Sequence, residues 1–127
     1  MIQKLLATAC LLSLTAGIAS AEGDAEKGEK VFRKCRACHA VGEGAENKVG
    51  PQLNGIVGRD IAALDGFGYS DALIELAAEK GAWTEEELAA FLEKPRSYAK
   101  GTKMSFAGLR KEDERADVIA YLATFTE

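Results

Sequence analysis

Residues 35–39 read Cys35-Arg36-Ala37-Cys38-His39. The spacing C-x-x-C-H is the attachment pattern of c-type haem. Two thiols separated by two residues can add to the two vinyl groups of one haem as thioethers, and the histidine that follows then offers an imidazole nitrogen to the iron. The motif therefore predicts one haem c, attached through Cys35 and Cys38 and ligated by His39.

A bare C-x-x-C pair is ambiguous, because a redox dithiol or half of a zinc site also uses it. A structural zinc ion needs four cysteine or histidine ligands, and beyond residues 1–21 the chain offers only Cys35, Cys38 and His39, its sole histidine. A thioredoxin-like motif lies near a βαβ pattern, and no alternating apolar run flanks the pair here. Covalent haem is the favoured interpretation, and a reactive dithiol is the alternative.

The second axial ligand follows from the same inventory. A single histidine excludes bis-histidine ligation within the chain, and Met104 is the only methionine besides the initiator Met1. It lies in the segment 100–106, which contains Gly101 and has a weak helical pattern. Such a loop can place a side chain against a flat cofactor. The alternative is that Met104 only fills a gap in the core, as single methionines often do. We expect ligation by His39 and Met104 rather than an open sixth site.

Further motifs accompany the haem pattern along the chain. In order they are Val49-Gly50-Pro51-Gln52-Leu53, Val57-Gly58-Arg59, Phe67-Gly68-Tyr69-Ser70-Asp71-Ala72, Trp83, Pro95, Gly101-Thr102-Lys103-Met104-Ser105-Phe106 and Glu114-Arg115-Ala116-Asp117-Val118-Ile119-Ala120-Tyr121-Leu122. With them, the sequence from Gly23 onward resembles class I cytochrome c, most closely the bacterial cytochrome c2 group, which is similar to mitochondrial cytochrome c. One departure is Lys100, where the family often has a proline before the glycine of the methionine loop.

The resemblance implies an all-α protein with the small cytochrome c fold, in which helices and long loops surround one haem. It implies that the carbonyl oxygen of Pro51 accepts a hydrogen bond from the ring of His39, which orients the ligand and raises its basicity. It also places Arg59, Tyr69 and Trp83 near a haem propionate, where hydrogen-bond donors offset the cost of a buried charge. Without the resemblance, each residue also has a simpler interpretation: Pro51 as a turn proline, Arg59 as a surface charge and Trp83 as a core residue.

The first predicted helix covers residues 24–34. Asp24 can cap its start, and acidic residues follow in the first turn. Gly28 and Phe32 are four residues apart and share a face. Because an interior glycine costs a helix about 1 kcal/mol relative to alanine, we expect another helix to approach closely at Gly28, and the resemblance implies the last helix, through Tyr121.

Three further helices are predicted, and the rest of the mature chain is assigned to loops without any sheet. The first covers residues 71–79, with Ser70 as its N-cap and Gly81 as its stop signal. The second begins at the capping box 84–87 and ends near Lys94, before Pro95. The third covers residues 112–124 and has Val118, Tyr121, Leu122 and Phe125 on one face.

Residues 1–21 read as a cleaved secretory signal peptide, which leaves a cytochrome c domain over residues 22–127. Lys4 precedes an uncharged apolar stretch, and Ala19-Ser20-Ala21 is an A-x-A cleavage site. An uncleaved anchor is the alternative, although the 17 uncharged residues after Lys4 are few for a membrane span. A lipoprotein site at Cys10 is a weaker reading. Export fits the haem motif, so we expect a periplasmic protein.

The 127 residues suffice for one small domain with a marginal core. A covalently held haem would complete that core, so we expect the protein without haem to be largely unfolded. The net charge of −4 becomes −5 when the signal peptide removes Lys4. No basic tract suggests nucleic-acid binding.

With both axial positions filled by the chain, we expect a soluble, monomeric single-haem electron carrier of the respiratory chain, without enzymatic activity or stable membrane insertion. The resemblance implies a cytochrome bc1 complex as donor, and cytochrome oxidase or a photosynthetic reaction centre as acceptor. It also implies that Lys34, Lys48, Lys100 and Lys103 meet acidic patches on these complexes, although each lysine alone fits a role in solubility. A peroxidatic or gas-binding haem protein and a domain docked permanently to a larger complex are the alternatives.

Overall fold

The computed structural model describes residues 23–126. In this range lie the helices α1 (Ala25–Phe32), α2 (Asp71–Lys80), α3 (Glu85–Glu93), α4 (Pro95–Tyr98) and α5 (Glu112–Leu122). The described residues form no strand, and a single antiparallel bridge joins Asp60 to Ala82. The all-α prediction is therefore confirmed. The predicted signal peptide over residues 1–21 and its cleavage site lie outside the described residues.

Helix α1 begins at the predicted place because Asp24 caps it. Its Oδ1 accepts hydrogen bonds from the backbone N–H groups of Glu26 (2.9 Å) and Lys27 (3.2 Å). The helix ends at Phe32, earlier than predicted, and the chain continues in turns that carry the C-x-x-C-H motif. Hydrogen bonds within these turns hold the motif against the end of α1.

Helices α1 and α5 cross at Gly28, as predicted. A Cβ atom built on Gly28 would lie 1.9 Å from the carbonyl oxygen of Asp117, so only glycine fits there. Beside the crossing, the backbone N–H of Asp24 donates to Asp117 Oδ1 at 2.8 Å, and the rings of Phe32 and Tyr121 lie 5.5 Å apart. The crossing joins the two ends of the described chain.

Helix α2 has the predicted caps, with Ser70 at its start and Gly81, at φ +80°, just after its end. Helix α3 begins after Thr84, whose Oγ1 accepts a hydrogen bond from the backbone N–H of Glu87 at 3.1 Å. Pro95 ends α3 and also begins the short helix α4, which the sequence did not predict. A proline at the first position of a helix costs no hydrogen bond, which suits the start of α4. Its ring disfavours helical backbone in the preceding residue, which ends α3 before Lys94.

The capping box predicted at residues 84–87 is only half formed. The backbone N–H of Thr84 donates to the carbonyl oxygen of Ala82 at 3.0 Å, instead of to the side chain of Glu87. The carboxylate of Glu87 instead accepts a hydrogen bond from the hydroxyl of Tyr98 on α4. A tertiary contact has replaced the local one.

The long connection between α1 and α2 carries no helix, as its glycines predicted, and it is tied to the rest of the fold by backbone hydrogen bonds. Gly55 donates to the carbonyl oxygen of Phe125 at 2.7 Å, Gly58 to that of Trp83 at 2.7 Å, and Ile61 to that of Gly81 at 2.8 Å. The connection is therefore held against the segments around Gly81, Trp83 and Phe125. No helix within residues 23–126 has the length and apolar character needed to cross a membrane.

Candidate haem site

The helices and loops enclose a cavity of about 340 Å³. Its walls come from the turns after α1, the long connection, helices α3 and α5, and the methionine loop, which we define as residues 100–106. All eight predicted site residues line it, namely Cys35, Cys38, His39, Pro51, Arg59, Tyr69, Trp83 and Met104. Residues from six separate parts of the sequence are thus brought together around one space.

The cysteine pair fits covalent attachment of a haem. Both thiols are free and partly buried, and the backbone N–H groups of Cys38 and His39 donate to the carbonyl oxygen of Cys35 at 3.1 and 3.0 Å. This tight turn brings the two thiols and the imidazole to the same cavity. Burial raises the pKa of the Cys35 thiol to about 11, although Lys34 opposes the shift. A neutral thiol suits an apolar site.

The ring of His39 is held in place by Pro51. Its Nδ1 lies 2.7 Å from the carbonyl oxygen of Pro51, so a ring that donates from Nδ1 keeps the lone pair of Nε2 for a metal. Burial lowers the pKa of His39, the bond to Pro51 opposes this shift, and the charge of Arg59 adds to it. The lowered pKa favours the neutral imidazole, which is the form that can bind a metal.

Gly50 is a positioning residue that the sequence did not single out. A Cβ atom at this position would lie 2.4 Å from Cε1 of His39 and 2.8 Å from its Nδ1. The backbone N–H of Gly50 also donates to the carbonyl oxygen of Cys38 at 2.9 Å. The only signal in the sequence was its place directly before Pro51.

Arg59 and Trp83 meet at one side of the cavity. The guanidinium of Arg59 donates to the carbonyl oxygens of Asn54 (3.0 Å) and Gln52 (3.1 Å). The backbone N–H of Trp83 donates to the carbonyl oxygen of Arg59 at 2.8 Å. The hydroxyl of Tyr69, also at the cavity, accepts from the backbone N–H of residue 64 at 3.2 Å. The three donors suit an acidic edge of a ligand.

Met104 reaches the cavity from the methionine loop and is partly buried. Its backbone N–H donates to Oγ1 of Thr102 at 3.3 Å, which turns the loop locally. Lys103 Nζ donates to the carbonyl oxygen of Gly68 at 3.0 Å and so joins the methionine loop to the long connection. Two segments that are far apart in sequence close the cavity together.

The remaining lining is mainly apolar, and most of it was predicted only as core or not at all. It includes Leu53, Ile56, Leu73, Leu88, Phe91, Leu92 and Phe106. These side chains suit the faces of a flat, apolar macrocycle. Helical spacing had placed Leu88, Phe91 and Leu92 on one face of α3, but spacing alone cannot distinguish a core face from a cofactor face.

The family model described as cytochrome c matches residues 25–126. The chain belongs to the cytochrome c family. This confirms the resemblance inferred from the motifs, and with it the covalently bound haem c that the family carries. Members of the family are electron carriers, and this chain is one of them.

Individual relatives agree with this assignment. The chain is 57% identical over 99 residues to cytochrome c-550 of Ancylobacter novellus, covering 78% of this chain and 92% of the relative. It is 50% identical over 101 residues to cytochrome c2 of Agrobacterium tumefaciens (strain II Chrys), covering 80% and 91%. The solved structure of cytochrome c2 from Rhodospirillum centenum matches with a TM-score of 0.77 and 40% identity, over 83% of this chain and 100% of that one.

Proposed function

We propose that this cytochrome c family member is a soluble, monomeric periplasmic shuttle. It passes single electrons from a membrane donor of the cytochrome bc1 type to a terminal oxidase or a photosynthetic reaction centre. The observation that supports the proposal is that His39 and Met104 line the same cavity as the cysteine pair. When bound, haem c supplies an iron that changes reversibly between the ferrous and ferric states.

The cavity residues suit electron transfer better than catalysis. His39 and Met104 would provide both axial ligands, which leaves no position for a substrate. A methionine thioether stabilises the reduced metal, and the apolar lining opposes the additional charge of the oxidised one. Because both side chains are held by packed segments, we expect little rearrangement between the two redox states.

The lysines predicted to meet a partner are largely engaged within the molecule. Lys34 Nζ lies 3.6 Å from a carboxylate oxygen of Glu114, and Lys48 Nζ donates to the carbonyl oxygen of Arg36 at 3.2 Å. Lys103 is tied to the long connection as described above. Of the four, Lys34, Lys48 and Lys103 thus also have structural roles.

We define the candidate docking surface as the four lysines together with two arginines, Arg33 and Arg36. Arg33 and Arg36 are exposed and line, together with Lys48, an open depression of about 530 Å³ beside the C-x-x-C-H motif. The partly buried Val41 adds apolar surface to it. A guanidinium can hold a carboxylate with two parallel hydrogen bonds, so this surface suits an acidic patch on a partner although the chain as a whole is acidic.

A potentiometric titration of the haem-loaded mature protein tests the proposed function. We expect one reversible one-electron transition at a clearly positive potential. The variant Met104→Ala should have a lower potential and should bind carbon monoxide in the ferrous form, because its axial position is open. A strongly negative potential in the unmodified protein would show that Met104 is not the ligand, and the shuttle would have to be abandoned.

The docking surface is tested by electron transfer from a purified cytochrome bc1 complex at increasing ionic strength. We expect the rate to change with salt, since exposed charges are screened. The double variant Arg33→Gln/Arg36→Gln should weaken that dependence, whereas Lys27→Gln/Lys30→Gln, which removes two exposed charges from α1 outside the depression, should change it less. A rate that does not respond to ionic strength would contradict electrostatic docking and leave the redox assignment intact.

A further inference from the structure

A cluster of three side chains lies where α3 and α4 pack together and the side chain of Lys80, the last residue of α2, reaches α3. The hydroxyl of Tyr98, the last residue of α4, donates a hydrogen bond to Oε2 of Glu87 in the first turn of α3. The other carboxylate oxygen of Glu87 lies 3.8 Å from Nζ of Lys80 at the end of α2. Tyr98 and Glu87 are partly buried. We call these three residues the Tyr98 cluster.

The ring of Tyr98 connects this cluster to the wall of the haem cavity. It packs edge-on against Phe91, with the ring centroids 6.3 Å apart. Phe91 lines the cavity and lies 5.1 Å from Trp83, a predicted site residue. The phenol is therefore fixed at both ends, by the carboxylate of Glu87 and by the ring of Phe91.

Hydrogen bonds connect Ala99, the residue directly after Tyr98, with Met104. The N–H of Ala99 donates to the carbonyl oxygen of Pro95 at 2.9 Å, and the N–H of Thr102 donates to the carbonyl oxygen of Ala99 at 3.0 Å. Thr102 in turn accepts from the N–H of Met104. A displacement of Tyr98 would therefore be passed on to the loop that carries Met104.

A second contact closes the same segment. Nη2 of Arg96, also on α4, donates to the carbonyl oxygen of Ser105 at 3.0 Å, directly after Met104. Helix α4 thus holds the loop at both ends, at Tyr98 and at Ser105. A helix of four residues is not stable alone, and α4 has no side-chain hydrogen bond at its N-cap. Its position must come from tertiary contacts.

We propose that Tyr98, held by Glu87, is a positioning residue that keeps Met104 at the axial site. The inference rests on the proposed function in one respect, namely that Met104 is the ligand. Lys100 is exposed and restricts the loop backbone less than a proline would. The contact to Glu87 supplies that restraint from outside the loop. Loss of the contact lets the methionine loop open more often and lets a competing ligand reach the iron.

The cluster members should contribute unequally. Tyr98 and Glu87 form a hydrogen bond to a charged acceptor in a partly buried place, which is the strong kind. Lys80 has 39% of its side chain exposed, so its attraction to Glu87 is screened by water. Substitution of Lys80 should therefore change the methionine loop much less than substitution of Tyr98 or Glu87.

Imidazole binding to the ferric haem-loaded protein tests the inference, because imidazole must displace Met104. Binding is followed by loss of the long-wavelength absorption band of methionine–iron ligation. We expect Tyr98→Phe and Glu87→Ala to raise the imidazole affinity about fivefold, which corresponds to the loss of one hydrogen bond. Glu87→Gln keeps an oxygen acceptor and should stay closer to the unmodified protein. The double variant Tyr98→Phe/Glu87→Ala should differ little from either single one.

Two matched controls separate positioning from general destabilisation. Glu86→Ala removes an exposed carboxylate from the same turn of α3, and Tyr121→Phe removes a phenol hydroxyl from the α1–α5 crossing. Both should leave imidazole affinity unchanged. An unchanged affinity in Tyr98→Phe, or an equal rise in the controls, would overturn the inference while leaving Met104 as ligand. Absence of the methionine band from the unmodified protein would instead overturn the ligand assignment itself.

Discussion

At the scale of single residues, the orientation of His39 depends on Gly50 and Pro51, which lie within twelve positions of it along the chain. The carbonyl oxygen of Pro51 receives Nδ1 at 2.7 Å, while the bare backbone of Gly50 leaves room for the ring. The imidazole is thus oriented by hydrogen bonding on one side and by close packing on another. A small change in either neighbour should therefore displace the ring of His39.

The first prediction at this scale concerns Gly50→Ala. The added Cβ would lie 2.4 Å from His39 Cε1, so the ring or the backbone must move. We expect the holoprotein to lose about 1–3 kcal/mol of unfolding free energy, as overpacked sites do. Denaturant titration followed by haem absorbance measures the loss. Gly68→Ala is the control, because its Cβ would meet only Lys103 Nζ at 3.9 Å. Equal effects of both variants would contradict the prediction.

The second prediction concerns the paired hydrogen bonds of Arg59. Replacement by lysine keeps the positive charge, but one ammonium cannot reproduce the fork that reaches Asn54 and Gln52. We expect Arg59→Lys to lower the free energy of unfolding by about 1–2 kcal/mol. Arg59→Ala should lower it further, since the charge is lost as well. If the lysine variant unfolded like the unmodified protein, charge rather than geometry would explain the role of Arg59.

At the scale of elements, the crossing of α1 and α5 depends on the absence of a side chain at Gly28. Alanine favours an isolated helix over glycine by about 1 kcal/mol, so helix propensity alone predicts a gain from Gly28→Ala. The structure predicts the reverse, because the Cβ would lie 1.9 Å from the carbonyl oxygen of Asp117. Packing between the two helices should outweigh propensity within one.

Denaturant unfolding of Gly28→Ala decides between these effects. We expect a loss of about 3 kcal/mol, since the helices must separate to admit the methyl group. Lys30→Ala, an exposed position on the same helix, should stay within about 0.5 kcal/mol of the unmodified protein. A stabilised Gly28→Ala variant would show that α1 and α5 do not cross as described.

At the scale of the whole molecule, the apolar core is built around a cavity. Many of the most buried apolar side chains also line that cavity, including Ile56, Trp83, Leu88, Phe91, Leu92, Val118 and Leu122. Without a group between them these side chains would lose part of their packing and would contact water. The haem is therefore expected to stabilise the fold as well as to supply the redox chemistry.

The corresponding prediction concerns a chain that cannot attach haem. The variant Cys35→Ala/Cys38→Ala should show little helical signal by far-ultraviolet circular dichroism, because a domain this small is marginal without its cofactor. The haem-loaded protein at the same concentration is the control and should be helical. A variant that folded fully without haem would show that the apolar side chains close the cavity by themselves.

Sequence patterns predicted four of the helices within a few residues, because caps and apolar spacing are local properties. Ser70, Gly81 and Pro95 mark helix ends through their own backbone preferences, and the structure places ends there. Helix α4 was not predicted, because four residues are too few to show a helical pattern of apolar side chains. The second half of the capping box failed because Tyr98, which competes for Glu87, is eleven residues away in sequence.

Local sequence patterns were enough to identify the family and four of the five helices of residues 23–126, and to nominate the haem-attachment motif and the axial ligands. The motif, the single histidine and the single internal methionine are countable in one dimension. The folded chain was needed to show that Gly50 must lack a side chain, that α4 lies against α3 and that Lys34, Lys48 and Lys103 have internal partners. Those facts depend on distances between segments far apart in the chain, and such distances are set by packing around the cavity rather than by local preference.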